Sequence, residues 1–82
     1  MKLPRDVSGK DLARWLRSCG YDVTRQVGSH MRLTTHEHGV HHITIPAHDA
    51  LRVGTLEYIL ASVAHHLGVD REELMLKLFG MS

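Results

Sequence analysis

Gly28-Ser29-His30-Met31-Arg32-Leu33-Thr34-Thr35 is the stretch that decides the fold. Glycine and serine turn the backbone, and the residues after them alternate in polarity. Met31 and Leu33 fall on one side, His30, Arg32 and Thr34 on the other. Period-two alternation marks a strand with one buried face. The pattern returns at residues 40–45, where Ile43 and Ile45 point inward and His42 and Thr44 outward. Between the two lies His36-Glu37-His38-Gly39, a hairpin connection with glycine near its end. Pro46 closes the later strand. Upstream, residues 21–26 alternate as well, with Tyr21 and Val23 on one face and Asp22 and Thr24 on the other.

Helices flank these strands. Ser8 and Asp11 have the spacing of a capping box, in which each side chain satisfies a free amide at a helix start, and Val7 with Leu12 that of a hydrophobic staple. Leu12, Trp15, Leu16 and Cys19 then recur at helical spacing, and Gly20 supplies the stop. A second helix is predicted over residues 55–67, with Leu56, Ile59, Leu60, Val63 and Leu67 as its buried stripe and Gly68 at its end. Asp70 and Glu73 repeat the box and Val69 with Leu74 the staple, which predicts a third helix to about Phe79. The sum is an α+β chain, α-β-β-β-α plus an added C-terminal helix. A three-stranded antiparallel sheet with helices on one face leaves its other face open.

The 82 residues are enough for one small domain, 1–82, with a core over about 8–67 and the added helix at about 70–79. No apolar run approaches the roughly 18 residues of a membrane span, and no signal-peptide pattern is present. Cys19, the single cysteine, has no partner for an internal disulfide and falls on the apolar stripe of the first helix, so it reads as core. Together these features predict a cytoplasmic protein with no membrane contact. Charge is uneven: residues 1–52 hold eight Lys/Arg against five Asp/Glu, residues 53–82 two against four. The basic excess coincides with the Gly28-Ser29-His30 segment and has the sign that suits a polyanion.

Strand alternation sends His30 and Arg32 to the open face if Met31 and Leu33 are core. Pairing Arg32 with Thr44 sets His30 opposite Pro46, with His48 two residues further on. A register shifted by two would set His30 beside Thr44 instead. Histidine suits proton transfer because its ordinary pKa of about 6.5 lies near working pH. The planar fork of arginine matches phosphate oxygens. Glycine at 28 lets a phosphate backbone approach closely, and Ser29 can donate a hydrogen bond to it. His30 and His48 are therefore candidate acid–base residues, and Gly28, Ser29 and Arg32 candidate contacts to the phosphate backbone of a nucleic acid.

Eight histidines also invite a metal reading. However, His41 and His42 face opposite ways, His36 and His38 lie in a turn, and no cysteine or helical His-x-x-x-His spacing supports them. No metal site and no cofactor is predicted. His65 and His66 suit the negative end of their helix.

Gly28-Ser29-His30 between two strands, Pro46-Ala47-His48 after the next, and a helix opening near Gly54-Thr55-Leu56 give an order of parts that resembles the HicA (YcfA-like) family of RNA-cleaving toxins. The resemblance spans about residues 8–67. It implies a fold like that of double-stranded-RNA-binding domains, metal-independent cleavage of mRNA, and a HicB-like antitoxin that covers the active face. In that family the motif histidine is linked to cleavage, and here it is His30. The apolar C-terminal helix departs from the short family pattern. Its Leu74, Met75, Leu76, Leu78 and Phe79 suggest a homodimer or an antitoxin contact, and an added helix that shields the active face would silence the toxin. Two other readings fit the same residues: an RNA-binding module that does not cut, and a protein-interaction domain built on the last helix.

Overall fold

The computed structural model describes residues 6–80. Its elements are α1 (Gly9–Leu16), a 3₁₀ turn (Arg17–Cys19), β1 (Asp22–Val27), β2 (His30–Thr35), β3 (His41–Pro46), α2 (Val53–Leu67) and α3 (Arg71–Phe79). The three strands form one antiparallel sheet in the order β1-β2-β3. Met31, Leu33, Ile43 and Ile45 on its inner face join Leu12, Leu16, Leu56, Leu60, Val63, Leu74 and Met75 of the helices in one core. The helices cover that face and leave the other open, the α-β-β-β-α arrangement of a double-stranded-RNA-binding fold with a helix added.

Local chemistry accounts for the ends of the elements. Ser8 caps α1, its Oγ accepting from the Asp11 N–H at 3.0 Å. The reciprocal half of the box does not form, because the Asp11 carboxylate takes Arg14 at 2.8 Å instead. Gly20 closes the following turn in the left-handed conformation, φ 88°. Asp70 caps α3, accepting from the Glu73 N–H at 2.8 Å. Helix α2 begins at Val53, two residues before the predicted start, with no side-chain cap at Arg52.

The first strand departs most from expectation. Tyr21 is buried, but Val23 is 47% exposed, as is every residue of β1 to some large degree. Val23 pairs with Leu33 and Arg25 with Arg32, so Thr24 is an extra residue, a β-bulge. The insertion changes which residues face out from that point on.

Helix α3 packs with α1 and α2 on the covered side of the sheet. Leu74, Met75 and Leu78 are buried, and Phe79 meets the Trp15 ring edge-on at 5.0 Å between centroids. Arg71 forms a two-bond ion pair with Glu57 of α2, at 2.7 and 3.2 Å. The helix therefore does not shield the open face. Of its large apolar residues only Leu76 is exposed, at 44%.

Candidate active site

The hairpin between β1 and β2 is closed by two residues, Gly28 and Ser29, with Val27 opposite His30. Tight hairpin turns of this length need a positive φ in the loop, and Gly28 supplies it at 58°. No heavy atom lies within 4 Å of where a Gly28 β-carbon would stand, so the backbone is open to an approaching group. His30 opens β2 and is exposed, as is Arg32.

The β2–β3 register pairs His30 with Pro46, Arg32 with Thr44 and Leu33 with Ile43. It is the first of the two registers considered from sequence. The segment after Pro46 is then pinned by backbone hydrogen bonds. The Ala47 N–H donates to the Ser29 carbonyl at 2.6 Å, and the Gly9 N–H to the His48 carbonyl at 2.9 Å. Leu51 N–H reaches the Val7 carbonyl at 2.7 Å. Gly28, Ser29, His30 and His48 are thus gathered at one corner of the sheet, with Arg32 one row inward on the open face. His48 is exposed there.

Two features of this face escape a reading by alternation. Strict period two puts Arg25 with Tyr21 and Val23 on the covered side, whereas the bulge at Thr24 puts it directly opposite Arg32. The signal was a charged residue standing at an inward position of an otherwise alternating run. The second feature is a chain of side-chain hydrogen bonds across all three strands. Thr24 Oγ1 lies 2.8 Å from Thr34 Oγ1, and Thr34 Oγ1 lies 2.8 Å from His42 Nδ1.

The remaining histidines of note are on the other side. The Tyr21 hydroxyl lies 2.7 Å from His41 Nδ1, with Ser62 Oγ 3.4 Å from Nε2. With Tyr21 donating to Nδ1, the ring proton sits on Nε2 toward Ser62. Burial, then the neighbouring Cys19, pushes the Tyr21 hydroxyl up to about 12. Burial also lowers the His41 pKa, helped by His66, His42 and His65. His66 does more than complement the end of α2. It stacks on His41 at 4.4 Å, and its Nε2–H donates to the carbonyls of Glu37 and Gly39 at 2.9 and 3.0 Å. The hairpin tip is thereby held to the helix. Cys19 is buried, which raises its thiol pKa and keeps it in the protonated form suited to packing. Among the described residues, no group of three or more His, Cys, Asp or Glu is placed to hold a metal ion. Likewise, no described helix is long and apolar enough to cross a membrane.

No curated protein and no solved structure matches this chain. A family model described as the HicA toxin of bacterial toxin-antitoxin matches residues 9–65. That span runs from the glycine at the start of α1 through Gly28-Ser29-His30 and Pro46-Ala47-His48 into the last turns of α2, and leaves α3 outside. With most of its length matched, sheet and open corner included, the chain belongs to the HicA toxin family.

Proposed function

We propose that the whole chain acts as one RNA-cleaving domain, an mRNA interferase that needs no metal. The observation that carries this reading is the setting of His30. It stands exposed at the start of β2, directly after the Gly28-Ser29 turn, with Arg32 two residues along the same face.

RNA brings its own nucleophile, the 2′-OH. A base takes that proton, the oxygen attacks phosphorus, and the bond to the 5′-oxygen breaks. An acid then protonates the leaving oxygen, and a 2′,3′-cyclic phosphate remains. His30 serves as one of the two proton-transfer groups and His48, pinned close by, as the other. Arg32 contacts the RNA backbone beside the reacting phosphate, and its charge helps offset what builds on the phosphate oxygens. Gly28 lets the backbone approach, and the Ser29 hydroxyl donates a hydrogen bond to it. As a toxin of a toxin–antitoxin family, the chain would meet a HicB-like antitoxin, which would silence it by covering the open face. Its place of action would be the cytoplasm, where mRNA is translated. A homodimer through α3 would have to be built around Leu76.

The test is incubation of the purified chain with labelled single-stranded RNA in EDTA, beside His30→Ala. Wild type should cut, and the variant should lose about 10²–10⁴ in rate with an unchanged circular dichroism spectrum. No cleavage by folded wild type would reject the enzyme and favour a binding module. Loss of folding in the variant would make His30 structural.

A further inference from the structure

We infer that Arg25 and Arg32 together form a second phosphate subsite, one that holds the RNA backbone beside the reacting phosphate. The inference rests on the RNA reading above. It begins from a pairing that the free protein has no reason to favour. The two arginines are direct cross-strand partners on the open face, and both are exposed. Directly opposed residues have β-carbons about 4.5–5.5 Å apart, and like charges at that distance repel. Among the described residues the ion pairs are Arg14–Asp11 and Arg71–Glu57, so neither arginine of the pair is neutralised.

The repulsion is built in by the backbone. The extra residue Thr24 turns Arg25 outward, and its hydroxyl is tied to Thr34 Oγ1 at 2.8 Å and to the Arg32 carbonyl at 3.3 Å. A bulge held in this way fixes the direction of the side chain after it. Two guanidinium forks then face one space, and each offers bidentate donors to phosphate oxygens. An anion between them turns the repulsion into attraction. Their row lies two residues along β2 from His30, about 7 Å away. The pair therefore takes a flanking phosphate, and Arg25 is a positioning residue. An acidic protein surface would satisfy the same charges. RNA is favoured because the open Gly28 backbone and His30 share the face.

The test uses a fluorescent single-stranded RNA made uncleavable by 2′-O-methylation, with binding followed by anisotropy at several salt concentrations. Arg25→Ala should bind about 10-fold more weakly, and the slope of log affinity against log salt should fall by about 0.7. Arg25→Lys should keep the slope and recover part of the affinity. Arg25→Glu, which places opposite charges across the strands, should melt higher than wild type yet bind least. On cleavable RNA, Arg25→Ala should raise KM and leave kcat nearly unchanged. A folded Arg25→Ala with wild-type affinity and slope would overturn the subsite, whether or not the wild type cuts. If the wild type binds without cutting and Arg25→Ala weakens that binding, the subsite stands and the cleavage reading falls. If the wild type does not bind RNA at all, both fall.

Discussion

Gly9, the first residue of α1, lies against Pro46 so closely that any β-carbon on it would overlap the proline carbonyl oxygen. Its N–H meanwhile donates to the His48 carbonyl at 2.9 Å. The start of a helix thus fixes the loop that carries a proposed catalytic histidine. Gly9→Ala must push the two apart, which should cost about 1–3 kcal/mol as an overpacked contact does. A urea titration measures it. Cleavage should fall further than the folded fraction does, because His48 moves. An unchanged denaturation midpoint would mean that the loop yields freely.

Tyr21→Phe removes one oxygen from the core and strands His41 Nδ1 without its 2.7 Å partner. A polar atom left unsatisfied in a part-buried site costs about 1–3 kcal/mol. Denaturant unfolding should report a loss in that range with the slope against urea unchanged. A neutral result would mean that water replaces the hydroxyl.

Acid should weaken the fold through His41, whose pKa burial lowers. In the unfolded chain this ring takes a proton near pH 6.5, in the folded one only at lower pH. Below 6.5 the unfolded state therefore binds more protons, and stability declines as pH falls toward the folded value. Above about pH 7 this contribution is fully present and flat. The neighbouring His66, stacked on the ring, and then His42 and His65 act in the same direction. Urea midpoints for wild type and His41→Asn between pH 8 and pH 5 would check it. The variant should show the shallower decline, and parallel curves would remove His41 as a cause.

Met75 and Leu76 are neighbours in α3 with opposite surroundings, the first fully buried and the second exposed. Met75→Ala should cost about 2–5 kcal/mol, and Leu76→Lys less than about 0.5 kcal/mol. Calorimetry separates them. Sedimentation of Leu76→Lys beside wild type also tests the homodimer, since a dimer that dissociates in the variant would assign Leu76 to the contact.

Much of this was legible in the chain because its physics is local. Ser8 and Asp70 announce helix starts by their own hydrogen bonds. Met31, Leu33, Ile43 and Ile45 narrow the β2–β3 register to even shifts, since a slip of one residue would turn one strand's pair to solvent, and the structure takes the one that sets His30 opposite Pro46. From that register the proximity of His30 to the Pro46–His48 segment follows. Arg25 was legible only as a charge at an inward position, because one inserted residue at Thr24 reverses the pleat and no buried apolar residue in β1 anchors its phase. The reach of His66 to Glu37 and Gly39, and of Tyr21 to His41, spans 20 residues or more. Spacing along a chain carries no trace of such pairs; only the packed helix and hairpin bring them together.

A three-stranded sheet has two free margins, and β1 is one of them. With Val23 47% and Val27 60% exposed, a straight β1 would offer another chain an apolar strip of unpaired amides, the kind of margin along which proteins aggregate. The extra residue at Thr24 breaks that ladder midway, and the arginine after it sets a like charge against any second copy laid alongside. A small irregularity in one strand would in this way keep the protein from adding to itself edge to edge.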